Sequence, residues 1–302
     1  MVKKNQKAKS GMSVRVATIQ MAMKVGDKKA NLKKGLAMVN AAAQKGAKMI
    51  LLPELFTTEY FAWWRDTKYF DYAEPIPGPT TARVGELARK LSVYVVAPFY
   101  EKEGPGMYYN SAVLIGPKGE IVGRQRKMHI PAVKSLEKLY FQPAEPNFPV
   151  FQTKYGRVGI CICYDRLFPE VCRALALNGA EMIFVPIAGT IFPKVSTLDT
   201  RALENVLFVV AANKVGEEDG HRYTGGAMIV NPEGKIIAQG GTEEEIVMAD
   251  IDLEDVEKSR KAFPYFRDRR PELYGRLLQP AVYYSGESPI TKYSYRSKKG
   301  DR

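Results

Sequence analysis

The chain has 302 residues but only two histidines, two tryptophans and three cysteines. The histidines, His129 and His221, stand apart from each other and from the cysteines, so the paired Cys and His spacing of a zinc site is absent. No run of about 18 apolar residues occurs, and no membrane span is expected. The start, MVKKNQKAKSG, is basic with no apolar stretch behind it, so it does not read as a secretory leader. There is no P-loop, which argues against an ATP-using synthetase domain. With so few thiols and no secretory context, a reducing cytoplasm is the expected compartment.

What is present is ordinary globular material, 45% apolar and 26% charged, enough to build one large core. The net charge of +12 raises the question of a nucleic-acid partner. Its distribution argues against one: residues 1–10 and 291–302 carry +4 each, leaving +4 on the body. Residues 1–12 are therefore expected to be a basic, flexible tail, residues 13–263 one domain, and residues 264–302 a C-terminal arm that reaches a neighbouring subunit.

Along the body, strand-like and helix-like segments alternate. VRVATIQM precedes a helix from Lys28 that Asp27 can cap, then AKMILLPEL, the helix TTARVGELARKLS, the strand YVVAPFYE, and a hairpin turning at Gly116–Gly119. The second half repeats this order: RVGICICY, PEVCRALALNG, EMIFVPIA, TLDTRALEN, VLFVVAANK, then a hairpin around Asn231–Gly234. EEEIVMADIDL and a helix from Asp252 to about Ala262 close the body. This order predicts an α/β protein in which two mixed sheets pack face to face with helices outside.

All three cysteines, Cys161, Cys163 and Cys172, fall within residues 157–173. Cys161 and Cys163 lie two apart on an expected strand, a spacing poorly suited to a disulfide. Small apolar fillers are one reading of all three, and it fits Cys161 and Cys172 well. Cys163 stands where the apolar run stops and Pro169 opens a helix, a position whose helix dipole favours thiolate, so a reactive thiol is the other reading. Neither histidine has a context that makes it the base. Glu54, after an apolar strand, is a carboxylate whose charge burial would disfavour; an exposed strand end is its alternative. Lys127 closes the first hairpin and can hold an oxyanion, or simply belong to a solvated run with Arg124 and Arg126.

LLPEL, RKMHIP, EKLYFQP and GICICYDRLFPE, in this order, resemble the four signatures of the nitrilase superfamily of carbon-nitrogen hydrolases. The similarity runs from about Ser13 to about Leu278 and includes RALENVLFVVAANKVG and FRDRRPELYG. The resemblance implies a four-layer α-β-β-α sandwich, assembled as a homodimer or larger homo-oligomer. It implies Glu54 as general base, Lys127 as the oxyanion-stabilising cation, Cys163 as nucleophile and Glu137 as a second glutamate orienting the lysine and substrate. No metal or organic cofactor is called for. The loop AVKSL before Glu137 is shorter and less glycine-rich than in many relatives, a departure at the substrate entrance.

Tyr60 and Trp63, with Trp64, are expected to wall the pocket, the Tyr164 backbone N–H to help hold the oxyanion, and Arg166 to bind a substrate carboxylate; core packing or a surface arginine are the alternatives. The motifs lie nearest the N-carbamoyl amidohydrolase and ω-amidase branches, whereas true nitrilases usually carry tryptophan where Tyr164 stands. The expected substrate is a small linear amide or N-carbamoyl amine, with a nitrile second. A non-catalytic oligomeric binding protein on the same fold is the reading from another class.

Overall fold

The computed structural model describes residues 13–132, 135–189 and 197–279. The basic stretches at residues 1–10 and 291–302 lie outside the described residues. The first half contains β1 (Ser13–Ala22), α1 (Lys28–Gln44), β2 (Met49–Leu51), α2 (Pro79–Leu91), β3 (Tyr94–Gly104), β4 (Met107–Ile115), β5 (Ile121–Arg126) and a single turn, α3 (Glu137–Tyr140). The second contains β6 (Val150–Thr153), β7 (Gly156–Ile160), α4 (Pro169–Leu177), β8 (Met182–Pro186), α5 (Leu198–Asn205) and β9 (Phe208–Ala212). It continues with β10 (Lys214–Glu218), β11 (His221–Thr224), β12 (Met228–Val230), β13 (Ile236–Gln239), β14 (Glu245–Asp252) and α6 (Glu254–Ala262).

Asp27 caps α1 as its position suggested, its carboxylate accepting the Ala30 N–H at 3.0 Å. Pro169 is likewise the first residue of α4, where its missing N–H costs nothing.

Two mixed sheets result. One runs β11-β10-β1-β2-β3-β4-β5, with β14 also paired to β1, and the other runs β13-β12-β9-β8-β7-β6. Alternate residues of the first sheet serve two cores. Val14, Val16, Tyr94, Val96, Ala112 and Leu114 meet Val158, Ile160, Phe184 and Val210 of the second sheet. Ala17, Ile19, Val95, Ala97, Val113 and Ile115 pack instead with Val39 and Ala42 of α1 and Val84 and Ala88 of α2. Both faces are buried, which is why these strands read as unbroken apolar runs rather than alternating ones.

On the far side of the second sheet, Gly159 of β7 admits α4 so closely that a Cβ there would stand 3.2 Å from both methyl carbons of Leu175. The architecture is the four-layer α-β-β-α sandwich. The chain forms two units, one up to Phe263 and one from Pro264 onward.

Three details differ from the sequence reading. β7 ends at Ile160, so Cys161 and Cys163 are not strand neighbours. β2 stops at Leu51, three residues short of Glu54. The hairpin β10–β11 and the edge strand β6 were not expected, because EEDGHRYT and VFQT are short and lack an apolar run.

Candidate active site

The candidate catalytic side chains Glu54, Lys127 and Cys163 stand just past the ends of β2, β5 and β7, and the backbone after β8 meets Glu54. Glu54 leaves the first sheet and reaches the second: its N–H donates to the Ile187 carbonyl at 3.3 Å, and its Oε2 accepts the Ala188 N–H at 2.9 Å. Its Oε1 accepts the Asn110 Nδ2 at 2.7 Å and the Lys127 Nζ at 2.9 Å. Lys127 continues the ladder beyond β5, its N–H donating to the Asn110 carbonyl at 2.8 Å. Its ammonium also donates to Glu137 Oε1 at 2.9 Å and Oε2 at 2.7 Å. Tyr60 closes the group by donating its hydroxyl to Glu137 Oε1.

Cys163 opens a 3₁₀ turn, Cys163–Leu167, at φ 48°, and Leu55, next to Glu54, sits at φ 51°. These left-handed conformations are strained for residues with a side chain and persist where surrounding contacts enforce them, often at functional sites. At Cys163 the contacts are visible. Arg166 Nη1 donates to the Cys163 carbonyl at 2.5 Å and lies 3.7 Å from its sulfur. Asp165, buried, accepts the N–H of Met128 at 3.1 Å, the N–H of His129 at 2.8 Å, and meets His129 Nδ1 at 2.9 Å. The carboxylate of Asp165 thereby ties the segment after Lys127 to the turn that carries Cys163.

The charges follow from this geometry. Burial acts against the Lys127 cation, but Glu137 and Glu54 act more strongly the other way, and its pKa is raised above the ordinary lysine value. Burial alone would push Glu54 up; the Lys127 charge and hydrogen bonds from Cys163, Lys127 and Asn110 bring it below the ordinary carboxylate value. Glu137 goes the other way, raised by burial and by the Glu54 charge against the pull of Lys127 and Tyr60. The Cys163 thiol is pushed up to about 12, by burial first and then by the Glu54 charge, with Lys127 and Arg166 opposing.

Two opposing tendencies are thus resolved by local charge. Burial, which disfavours the Glu54 anion, is outweighed by Lys127 and the hydrogen bonds to the carboxylate. The helix start, which favours thiolate at Cys163, is outweighed by burial and the Glu54 charge. The helix-dipole argument loses because a half-buried sulfur beside carboxylates is governed by desolvation and charge.

A testable consequence is the pH profile of kcat/KM for hydrolysis. If Cys163 lost its proton to solvent before attack, the rate would rise about tenfold per pH unit toward the thiol's value. Transfer of the thiol proton to an already ionised Glu54 gives instead a plateau from roughly pH 7 to 9, falling on the acid side as the Glu54 and Glu137 pair gains a proton. A steady rise across that range in a stopped assay would contradict proton transfer from Cys163 to Glu54.

The structure brings Glu54, Lys127, Glu137, Cys163, Tyr60 and Arg166 together. A cleft of about 190 Å³ opens beside Arg166, lined also by Ile187, Asn213 and Met228. Tyr164 is half-buried, its ring edge-on to Phe168 at 5.3 Å. Trp63 stacks on His221 with ring centres 4.1 Å apart and donates its indole N–H to the Tyr223 hydroxyl at 3.2 Å. Trp64 is exposed. Cys161 and Cys172 are buried and every cysteine is free. Sequence reasoning passed over Asn110, Asp165 and Ala188. Asn110 and Asp165 had a signal, since each sits inside a quoted motif, NSAVLIG and CYDRLFPE; a backbone N–H such as that of Ala188 has none.

A thiol, a lysine and two glutamates gathered on a two-sheet sandwich are groups that an acyl-transfer hydrolase can use. The chain belongs to the carbon-nitrogen hydrolase family, whose model matches residues 15–261. It is 38% identical to an N-carbamoylputrescine amidase of Solanum lycopersicum over 304 residues, covering 94% of this chain and 99% of that one. It is also 38% identical to a nitrilase of Pyrococcus abyssi, covering 87% and 100%, and 34% identical to an omega-amidase of Bos taurus, covering 86% and 96%.

Among solved structures, a carbon-nitrogen hydrolase from Helicobacter pylori G27 superposes with a TM-score of 0.84 at 31% identity, covering 89% of this chain and 99% of that one. An amidase variant from Nesterenkonia sp. AN1, with the acetamide moiety of fluoroacetamide on its active-site cysteine, gives 0.75 at 27%, covering 88% and 97%.

Proposed function

We propose that the protein is a cysteine-dependent hydrolase of N-carbamoyl amines and small linear amides, working through a thioester and releasing ammonia. The observation that carries this reading is the Lys127 ammonium held between Glu54 and Glu137, with the Cys163 thiol near enough for the Glu54 and Lys127 charges to act on it. Glu54 takes the thiol proton as the sulfur attacks the carbonyl carbon. Lys127 and the Tyr164 backbone N–H hold the oxyanion, and Glu137 with Tyr60 keeps the ammonium in place. Glu54 returns the proton to the departing nitrogen as the carbon–nitrogen bond breaks. It then removes a proton from water, which attacks the acyl–sulfur carbonyl, and gives that proton to the departing sulfur. A simple amide thus yields ammonia in the first half and a carboxylic acid in the second. A carbamoyl amine yields the amine first and then carbamic acid, which breaks down to carbon dioxide and ammonia.

The substrate preference rests on likeness to the N-carbamoylputrescine amidases. Arg166, which lines a cleft and lies 3.7 Å from the Cys163 sulfur, and Trp63, two residues past Phe61 on the Tyr60 segment, are the proposed specificity residues. Assaying ammonia release from carbamoyl amines, carbamoyl amino acids, ω-amides and nitriles tests the reading; the carbamoyl amines are expected to give the largest kcat/KM. The matched nitrilase of Pyrococcus abyssi favours one alternative, conversion of a nitrile to its acid, and turnover confined to nitriles would establish it instead.

Three free thiols fit a cytoplasmic setting. The arm from Pro264 leaves Leu273, Leu277 and Leu278 at 63%, 65% and 90% exposure, apolar surface suited to burial at a subunit interface in a homodimer or larger homo-oligomer. Changing all three leucines to lysine is expected to lower the mass measured by light scattering; an unchanged oligomeric mass would remove the arm from the interface.

A further inference from the structure

The unexpected hairpin β10–β11 carries a second buried ion pair, distinct from the three charges at the reaction centre. Lys214, with no exposed surface, lies 3.1 Å from Glu218 Oε1. Each partner also grips the loop that follows Glu54. Lys214 Nζ donates to the Thr58 carbonyl at 3.0 Å, and Glu218 Oε2 accepts the Tyr60 backbone N–H at 2.6 Å. The Tyr223 ring lies 5.5 Å from the Lys214 ammonium, and its hydroxyl accepts the indole N–H of Trp63 at 3.2 Å. The pair therefore holds the main chain at Thr58 and Tyr60 from one side.

A buried ion pair is a poor way to gain stability, because desolvating both ions offsets most of their attraction. A pair that grips two backbone groups around one residue is better explained by positional control. The residue it holds is Tyr60, whose hydroxyl reaches Glu137 and through it the Lys127 ammonium.

We propose that Lys214 and Glu218 are positioning residues for the reaction: by fixing the main chain on either side of Glu59 they set the Tyr60 hydroxyl against Glu137 and so hold Lys127 at the oxyanion position. This deepens the hydrolase reading and rests on it.

The test is a double-mutant cycle. Lys214→Met/Glu218→Leu removes both charges together, so no ion is left buried alone, and is combined with Tyr60→Phe. The pair variant is expected to lose roughly tenfold in kcat, with KM changed less, because a small misplacement of a positioned group is costly in rate. Around Glu137 the charged and titratable groups are Lys127, Glu54 and Tyr60. Tyr60 pulls the Glu137 carboxyl downward, so weakening that bond raises it. The acid limb of kcat/KM should accordingly move to higher pH.

In the Tyr60→Phe background the same pair change should cost less than about twofold, the mark of two changes acting through one contact. Lys214→Arg, which keeps the pair, should restore most of kcat. If the pair variant does not fold, Glu218→Gln is carried through the same measurements. Full additivity with Tyr60→Phe, or an unmoved acid limb with kcat within twofold of the parent, would overturn the proposal. Absence of amide hydrolysis in the parent protein is the separate result that would defeat the hydrolase reading itself.

Discussion

Cys163→Ala is expected to give a folded protein whose hydrolytic rate falls by roughly ten-thousandfold or more, the scale seen when a covalent nucleophile is removed. Alanine removes only the sulfur from a site where Cys163 is half-buried, so little packing is lost. The turn's backbone contacts, the Arg166 bond to the residue 163 carbonyl and the Asp165 bonds to residues 128 and 129, do not involve the sulfur. A thermal melt within a few degrees of the parent should therefore accompany the lost activity. Cys161→Ala and Cys172→Ala provide the control: both sulfurs are buried, and their loss should affect stability while leaving kcat in the folded fraction unchanged.

Lys127→Met should cost both rate and stability. The ammonium is the only cation hydrogen-bonded to Glu54 and Glu137 among the described residues, and removing it leaves two carboxylates in one buried space. Breaking a buried pair from one side typically costs about 3–5 kcal/mol, here lessened as Glu137 takes up a proton. Loss of the oxyanion donor should lower kcat by about a hundredfold to a thousandfold. The second variant, Lys127→Met/Glu137→Gln, separates the two effects. It relieves the like-charge contact and should recover much of the stability in denaturant unfolding, while the rate stays low. Recovery of rate along with stability would mean that Lys127 is structural and takes no part in the chemistry.

The layers were legible because the strands are buried on both faces: VRVATIQM, YVVAPFYE and EMIFVPIA are the apolar runs expected of doubly covered sheets. Helical periodicity fills the spaces between them, and the two hairpins divide the order into two halves. The site was legible as three groups at element ends, Glu54, Lys127 and Cys163, with Glu137 reached only through likeness to a family. What sequence could not convey was how the groups act on one another. Burial alone makes Glu54 look protonated and a helix start makes Cys163 look ionised; both change direction once Lys127 stands 2.9 Å from Glu54 and the carboxylates face the sulfur. The β10–β11 hairpin escaped notice because its strands are four and five residues long, and its key residues, Lys214 and Glu218, read as surface charges. A lysine and a glutamate four apart announce burial only when the tertiary fold closes over them.

The central claim is that one sulfur, Cys163, does the chemistry beside Glu54 and Lys127. Alkylation with iodoacetamide tests it most directly, because Cys161 and Cys172 are buried and Cys163 alone of the three is partly open. Peptide mass mapping should show activity falling in one-to-one proportion with modification of Cys163, and saturating substrate should slow both. Enzyme fully alkylated at Cys163 that still hydrolyses its substrate would contradict the account.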